Sequence, residues 1–582
     1  MASKTKLELT WIGKGEEQQS IEPRILIEHP DLSSGVCSEE TLPNGKIWKG
    51  NMVIHGDNLL ALRSIEDYKG CVKCIYIDPP FNTGNAFEFY DDGLEHSIWL
   101  NLMYQRIKLL YGLLSEDGAF CMHLDDGEVH YAKVICDEIF GRNNFIATVA
   151  IRSSTPSGVK TAHKNKKLIK QKDLMLVYKK SDLLTITPQY VRRTVYDTHF
   201  NYYADKEHGT VRPLLEVLIE KGVLKKGQKL SDLDINNPEH RKFYVSHSDR
   251  ICQTQSFKNE EIKRASREYI DRIYFVNKGE PNETMFYNGR QLTPLKNSIN
   301  KVLYGDSFID DMAVLLCDFW DDMDFQNTQH EGGVDFPNSK KPEALIMRIL
   351  SLFTNEGDIV LDSFLGSGTT AAVAHKMNRK YIGIELGDHA YTHCQKRLKA
   401  IVEGRDPSGI TKAVNWEGGN GFKFYELAPS LLKKDSHGNL VINKDYNADM
   451  LAAAMAKHQG FVYQPSMEVF WKQGYSSESD YIYTTTQFVT VESLDAILDT
   501  MADGESLLVC CKAFQSECKN FSSRITVKKI PSALLGRCEF DHDDYSLNII
   551  ELPQTEEIEA LEEQDNSSEA SSDNLSSEPS LF

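Results

Sequence analysis

Long hydrophobic runs are absent from this sequence of 582 residues, although 41% of its residues are hydrophobic. No apolar stretch approaches the roughly 20 residues that a membrane-spanning helix needs, and no basic and apolar leader opens the chain. We therefore expect a protein with no membrane segment. Cysteine is scarce too, at 12 residues, and Cys71 and Cys74 lack a second pair at zinc-binding spacing. The sequence thus argues against a disulfide framework and predicts no metal site.

Positive charge is also in short supply, since 65 Lys and Arg stand against 85 Asp and Glu, for a net charge of -20. Phosphate contacts need Lys and Arg, so this balance is unusual for a nucleic-acid binder. Ten basic residues fall at 160–193, however, where Asp173 and Asp182 are the only acids, whereas the chain from 551 onward has no basic residue. A solvated face is one explanation of this segment, and nucleic-acid contact is the other. The candidate contacts are Lys160, Lys164, Lys166, Lys167, Arg192 and Arg193.

The first informative motif is the stretch 75–84, which reads IYIDPPFNTG. Three β-forming residues run into an acid and two prolines that cannot continue a strand ladder, so the pattern predicts a buried strand that ends in a rigid turn. Asp78 and the proline carbonyls would offer acceptors to an amino group, and Phe81 would offer a flat face beside them. The motif therefore favours a pocket for an aromatic amine, with a simple strand stop as the alternative.

A second motif lies at 358–370 and reads DIVLDSFLGSGTT. It predicts a short apolar strand and then a glycine turn that opens a helix, where glycine allows close approach of a ligand to the backbone. The next strand ends at Glu385, at about the twenty-residue offset that suits an acid binding ribose hydroxyls. The turn lacks the Lys of a phosphate loop and the full G-x-G-x-x-G pattern, so by itself it does not identify its ligand.

In this order the two motifs resemble the β-class of amino-group DNA methyltransferases, in which the catalytic motif precedes the cofactor motif. The resemblance extends over most of residues 50–425 to the modification subunits of Type III restriction systems. The further matching segments are His55-Gly56-Asp57-Asn58, Trp99-Leu100 with Arg106, Asp318-Phe319-Trp320, and Glu331-Gly332-Gly333 with Lys340-Lys341-Pro342-Glu343.

The resemblance implies roles for individual residues. The catalytic set is Asp78, Pro79, Pro80 and Phe81, which would hold and stack a flipped base. The residues implied to bind the cofactor S-adenosyl-L-methionine are Asp57, Lys341, Pro342, Asp362, Phe364, Gly366, Ser367, Gly368, Thr369 and Glu385. Asp57 also suits helix capping. Two departures stand out: Ser363 replaces the family's usual proline, and no aromatic residue precedes the strand near 174.

The implied fold is α/β, the Rossmann-like fold of S-adenosylmethionine-dependent methyltransferases with a circularly permuted motif order. Apolar periodicity agrees. It predicts helices at 98–114, 129–140 and 389–402 and a closing strand at 422–427, and the alternation of strands and helices up to residue 178 predicts a parallel-rich α/β sheet. The predicted division is an N-terminal segment at 1–50, a catalytic half at 51–180, a target-recognition domain at 181–320, a cofactor-binding half at 321–427, a C-terminal α/β region at 428–551 and a disordered acidic tail at 552–582.

The expected reaction is methyl transfer to the N6 amino group of adenine in double-stranded DNA. Asp78 favours adenine because the related cytosine-N4 enzymes more often carry Ser there, and cytosine-N4 methylation is the alternative. Another alternative is a recognition subunit that mainly binds DNA for a helicase-nuclease. The resemblance also implies a restriction-subunit partner, a homodimer and a bacterial or archaeal cytoplasmic location. The recognition sequence stays open.

Overall fold

The structure is a computed structural model that describes residues 9–11, 14, 20–80, 96–155, 165, 168–325, 328–336, 340–535, 538–543 and 545. Phe81 and the predicted DNA contacts Lys160, Lys164, Lys166 and Lys167 lie outside the described residues. Within the described ranges, no helix is long and apolar enough to cross a membrane.

An 11-stranded mixed sheet forms the centre of the protein. Its strands in chain order are β1 (Leu26–Glu28), β2 (Ser34–Gly35), β3 (Asn51–His55), β4 (Val72–Ile77), β5 (Leu114–Leu124), β6 (Phe145–Arg152), β7 (Lys172–Lys179), β8 (Phe319–Trp320), β9 (Ile359–Asp362), β10 (Lys380–Glu385) and β11 (Gly421–Leu427). Their spatial order is β1-β11-β3-β10-β9-β4-β5-β7-β6-β8, and β2 also pairs with β11. The strands from β11 to β5 are parallel, which confirms the predicted parallel-rich sheet.

Helices cover both faces of this sheet. They are α1 (Asn58–Ser64), α2 (His96–Leu113), α3 (Val129–Cys136), α4 (Glu343–Phe353), α5 (Thr369–Lys376) and α6 (Lys396–Val402). One apolar core lies under α1 to α3 and the other under α4 to α6. Strand β4 contributes to both, because Ile75 and Ile77 point into the first core and Cys74 and Tyr76 into the second, as the period of two in a strand requires. The core is therefore a three-layer α/β sandwich.

Two predicted helices have irregular turns that periodicity did not reveal. The helix predicted at 129–140 ends at Cys136 and continues as a π-helical turn, Asp137–Gly141. The helix predicted at 389–402 begins with another π-helical turn, Ala390–Gln395, which leads into α6. The helix predicted at 98–114 matches α2 closely.

The chain between β7 and β8 forms two antiparallel sheets of its own. The six-stranded sheet comprises Tyr202–Asp205, Thr210–Pro213, Ile251–Gln255, Tyr274–Val276, Thr284–Tyr287 and Arg290–Pro294. The three-stranded sheet comprises Tyr190–Arg192, Ile299–Tyr304 and Ser307–Leu315. The helices of this part are Leu214–Glu220, Pro238–Ser246 and Glu260–Glu268. Their apolar side chains form separate clusters, distinct from the two cores of the central sheet.

The C-terminal part is built on a five-stranded sheet. Its strands are Val462–Tyr463, Gly474–Ser477, Asp480–Val489, Ser506–Phe514 and Ile525–Lys529, and its helices are Ala448–Gln459 and Val491–Leu498. A short strand pair, Leu432–Lys434 with Leu440–Ile442, accompanies it. Another pair, Glu40–Thr41 with Ile47–Trp48, lies in the N-terminal part of the chain, where Trp48 joins the first core of the central sheet.

A crevice is expected where the chain leaves β9 and β4 in opposite directions. Strand β9 continues through α5 to β10 on one side, whereas β4 continues through α2 to β5 on the other. The two helices lie on opposite faces of the sheet. Open α/β sheets bind ligands at the carboxyl ends of strands at such a point. The candidate motifs both follow these two strands.

Candidate active site

Four acids end a row of neighbouring parallel strands. In spatial order they are Asp57 after β3, Glu385 at the end of β10, Asp362 at the end of β9 and Asp78 after β4. Burial, together with the charges of Asp78 and Glu385, raises the pKa of Asp362 to about 7. The fold thus brings the acids of both motifs into one electrostatic neighbourhood at the carboxyl edge of the sheet.

The turn after β4 is tied to the core at one point. Proline fixes the backbone φ angle, so Pro79 and Pro80 restrict the path of the chain beyond Asp78. The indole nitrogen of Trp99, whose side chain is fully buried on α2, donates a hydrogen bond of 2.8 Å to the Pro80 carbonyl. This contact holds the turn against the helix that follows it.

The two carboxylate oxygens of Asp78 have different surroundings. Oδ2 lies 2.8 Å from the Nζ atom of Lys341, which immediately precedes Pro342 at the start of α4. Oδ1 is buried, and no hydrogen-bond donor within the described part of the chain reaches it. A buried acceptor without a donor costs about 1 to 3 kcal/mol. Such an atom calls for an explanation, and a ligand donor is the simplest one.

The glycine turn after β9 is, by contrast, braced from several directions. Asp362 accepts hydrogen bonds from the Phe364 N–H at 2.9 Å and the Thr370 hydroxyl at 2.6 Å. Gly368 has a φ of +81°, and a Cβ atom there would lie 3.3 Å from the Cys394 Cα atom. The positive φ angle therefore favours glycine at this position, where the space for a Cβ atom is also tight.

Glu385 braces the same turn from the neighbouring strand. Its Oε2 atom accepts a hydrogen bond of 2.7 Å from the Gly366 N–H, and its Oε1 atom accepts one of 2.9 Å from the Gly387 N–H. The side chain is 3% exposed. Contact between Glu385 and ribose hydroxyls stays a prediction; the hydrogen bonds in the structure fix the backbone of two turns.

Asp57 caps α1, as its position before an apolar helix predicted. Its Oδ1 atom accepts from the Leu59 and Leu60 N–H groups at 2.8 and 3.2 Å. Its Oδ2 atom accepts from the Arg106 guanidinium and from the Tyr545 N–H, both at 3.2 Å. The contact with Tyr545 had no signal in the sequence, because it joins the C-terminal part to the central sheet.

A buried charge network supports the cofactor motif from behind, and sequence reasoning missed most of it. Glu343 on α4 accepts from Lys376 on α5 at 2.8 Å and from Arg397 on α6 at 2.7 Å. Lys376 also lies 2.7 Å from Asp406. Arg397 donates to the Thr369 hydroxyl at 2.9 Å. The charged side chains of this network are 0 to 3% exposed.

The two predicted DNA contacts that the structure describes are Arg192 and Arg193. Arg192 donates to Asp311 at 2.6 Å, to Asn236 at 2.8 Å and to the Ile235 carbonyl at 2.6 Å, so its donors serve the protein. Arg193 forms an ion pair with Asp197 at 3.2 Å. Their contact with DNA stays a prediction. Within the described residues, no cluster of His, Cys, Asp and Glu has a metal-binding arrangement.

Known proteins resemble this chain over the same elements. The family model for N6 and N4 methyltransferases, described as DNA methylase, matches residues 72–396. A protein of Haemophilus influenzae named as the probable type III restriction-modification enzyme HindVI Mod subunit is 35% identical over 65% of this chain and 54% of its own length. The StyLTI Mod subunit of Salmonella typhimurium is 23% identical over 64% of this chain and 56% of its own length. The chain thus spans little more than half the length of these two relatives.

Solved structures match less closely. A DNA modification methylase from Thermus thermophilus, complexed with S-adenosyl-L-methionine, covers 64% of this chain and 97% of its own, at 14% identity and a TM-score of 0.30. A likeness of this size does not by itself support a shared fold or function.

Proposed function

The chain belongs to the N6/N4 DNA methylase family, and from that premise we propose that it transfers a methyl group to the N6 amino group of adenine in double-stranded DNA. The single observation that carries the proposal is the buried, unpaired Oδ1 atom of Asp78 at the ligand-binding edge of the sheet, which no donor among the described residues reaches. This atom offers an acceptor where the family's reaction needs one for an amino hydrogen.

The chemistry of the edge fits S-adenosyl-L-methionine as methyl donor. Carboxyl groups at the ends of four adjacent strands suit a cationic sulfonium group. The residues that would hold the cofactor are the backbone of Gly366, Ser367 and Gly368 together with Glu385, which already fixes the shape of that turn. When bound, the cofactor supplies an electrophilic methyl group. Asp57, Asp362 and Glu385 serve chiefly by holding the surrounding backbone in place.

Asp78 addresses the main difficulty of the reaction, which is the poor nucleophilicity of the amino nitrogen. The lone pair of that nitrogen is delocalised into the adenine ring. Hydrogen bonds from its two hydrogens, one to Asp78 Oδ1 and one to the Pro79 carbonyl, favour a tetrahedral nitrogen with the lone pair directed away from the ring. Asp78 Oδ1 then takes the proton that the methylated amino group loses.

The target base has to leave the duplex to reach Asp78. Unstacking a base costs a few kcal/mol, and an aromatic side chain that stacks on the flipped base offsets part of this cost. Phe81 follows the catalytic turn directly in the sequence. We assign it this stacking role on the strength of the family motif.

The Mod subunits among the relatives support a place in a type III restriction-modification system. On this proposal the chain recognises the DNA site, dimerises and binds a helicase-nuclease subunit. An adjoining reading frame that encodes a helicase with an endonuclease motif would support this placement. A mass in light scattering of twice the 66.1 kDa of the chain would support the homodimer.

The activity is tested by giving the purified protein labelled S-adenosyl-L-methionine and unmodified genomic DNA, and then mapping the product by single-molecule sequencing. We expect N6-methyladenine in one short sequence motif, and none with Asp78→Ala. N4-methylcytosine would overturn the assignment of the base. DNA binding without any methyl transfer would instead favour a recognition subunit.

A further inference from the structure

Lys341 contacts the catalytic acid, although the family resemblance assigns it to the cofactor. Its ammonium group lies 2.8 Å from Asp78 Oδ2, and the two side chains are 13% and 19% exposed. The pair joins the start of α4 to the end of β4. It occupies one oxygen of Asp78 and leaves the other, Oδ1, as the acceptor without a donor among the described residues.

A second carboxylate, that of Asp173, also acts electrostatically on Lys341. Asp173 on β7 is 6% exposed. Although burial opposes it, the hydrogen bond to His123 and the charges of Lys341 and Lys170 hold the pKa of Asp173 well below its usual range. The ammonium group of Lys341 therefore experiences two carboxylates, Asp78 and Asp173.

Two buried polar side chains lie next to Asp173. His123 on β5 lies 3.5 Å from Asp173 through its Nε2 atom and 3.1 Å from the Tyr76 hydroxyl through its Nδ1 atom. Tyr76 precedes Asp78 by two residues on β4. Tyr76, His123 and Asp173 thus form a buried polar group beside the catalytic turn, and the charge of Asp173 acts on Lys341.

We propose that Lys341 is a positioning residue of methyl transfer, which holds Oδ2 of Asp78 so that Oδ1 faces the amino group of the target base. This inference rests on the proposed function. An aspartate carboxylate rotates readily about its last torsion angle, so one fixed oxygen determines the direction of the other. Tyr76, His123 and Asp173 support Lys341 in this role, and none of them touches the base.

The test compares Lys341→Met and Lys341→Arg with the wild type. A misplacement of about 1 Å costs roughly a hundredfold in rate, so we expect Lys341→Met to lower kcat about tenfold to a hundredfold. The Kd for S-adenosyl-L-methionine, measured by calorimetry, should stay within about twofold. Lys341→Arg should recover part of the lost rate, because it restores a cation beside Asp78. Lys73→Met serves as the control. It removes a lysine that is likewise 13% exposed and that forms an ion pair with Asp117 at the opposite end of β4.

A double-mutant cycle separates positioning from direct action. If Lys341 acts through Asp78, then Lys341→Met adds no further loss of kcat in the Asp78→Asn background. A further loss in that background, or an unchanged kcat in the single variant, overturns the inference. A large rise in the cofactor Kd returns Lys341 to the cofactor and overturns it as well.

Failure of the proposed function gives a different result: the wild-type protein itself then transfers no methyl group. If Lys341→Met does not fold, which thermal unfolding reports, then Lys341→Arg and Asp173→Asn carry the test. Both are expected to lower kcat with the cofactor Kd unchanged. Wild-type rates in both variants overturn the inference.

Discussion

The turns that follow β4 and β9 differ in how completely their acids are paired. On the cofactor side, both oxygens of Asp362 and both oxygens of Glu385 accept hydrogen bonds from the protein. On the catalytic side, Asp78 has one oxygen on Lys341 and one buried oxygen without a donor in the described part of the chain. The acids on the cofactor side are therefore fully paired without a ligand, whereas Asp78 keeps one acceptor that no described donor reaches.

This difference follows from what each side has to do. On the proposed function, the glycine turn binds the cofactor through its backbone and needs a fixed shape. The network of Glu343, Lys376 and Arg397 supports that shape from behind. An acid that accepts a hydrogen from a transient substrate has to keep an oxygen available. Leaving that oxygen unpaired costs about 1 to 3 kcal/mol of stability. On the proposed function, the unpaired oxygen of Asp78 marks the reacting end of the site.

Removing the charge of Asp78 should break the catalytic side and leave the cofactor side intact. Asp78→Asn keeps the shape of the side chain but loses the carboxylate that accepts the proton, so we expect methyl transfer to fall about 10²- to 10⁴-fold. The Kd for S-adenosyl-L-methionine should be unchanged. Single-turnover methyl transfer and calorimetry measure the two effects. Asp117→Asn, which alters a similar acid and lysine pair at the opposite edge, should transfer methyl groups at the wild-type rate.

Removing Arg397 should lower the stability of the cofactor side rather than impair the chemistry of the catalytic side. Arg397→Met leaves the buried Glu343 carboxylate short of one partner, and breaking a buried pair costs about 3 to 5 kcal/mol. Urea unfolding measures this loss. Arg405→Met removes an exposed arginine that pairs with Glu403, and it should cost less than about 1 kcal/mol. Equal losses for the two variants would show that the network is not what stabilises this side.

The arrangement of both motifs at one edge was predictable from the sequence, because it depends on local patterns. Apolar strands that end in an acid and are followed by a turn and a helix predict a parallel sheet, and the carboxyl ends of parallel strands meet. Helix α2 was predictable for the same reason, since its apolar residues recur at helical spacing. The parts of the fold that the structure confirms are those whose sequence pattern lies within a window of about twenty residues.

Other features depend on distant parts of the chain and had no local signal. The strand predicted at 422–427 is present as β11, but β1 pairs with its outer side, so β11 is not the edge of the sheet. Lys376 and Arg397 become buried only where α4, α5 and α6 converge. The contact of Lys341 with Asp78 likewise joins two motifs that are far apart in sequence. Charged residues alone do not reveal which partner will bury them.

The pH dependence of the free energy of unfolding should distinguish Asp362, a paired acid of the cofactor side, from acids at the surface. Asp362 keeps its proton to about pH 7 in the folded protein, mainly because it is buried, whereas an unfolded Asp releases it near pH 3.9. Between these values the folded state binds more protons, so the free energy of unfolding should fall as the pH rises, by up to about 1.4 kcal/mol per pH unit. Below about pH 4 this contribution is fully present, and above about pH 7 it is lost.

The variant Asp362→Asn isolates this effect, because an amide keeps the size of the side chain and does not titrate. Denaturant unfolding between pH 4 and pH 8 should show a smaller decline with rising pH for the variant than for the wild type. The control is the same Asp-to-Asn change at an exposed acid, Asp182→Asn. It should not alter how the free energy of unfolding depends on pH, because Asp182 is 93% exposed. Identical profiles for Asp362→Asn and the wild type would show that Asp362 ionises normally.

The smallest expected effect concerns the single hydrogen bond that ties the catalytic turn to α2. Trp99→Phe removes the donor to the Pro80 carbonyl and keeps an aromatic ring in the core, so it should cost about 1 to 2 kcal/mol in thermal unfolding. Because the turn then shifts relative to the bound cofactor, kcat should fall roughly tenfold while the cofactor Kd stays the same. A rise in the cofactor Kd without a change in kcat would mean that the two turns are one rigid unit. In that case the contrast between a braced cofactor turn and a lightly held catalytic turn would fail.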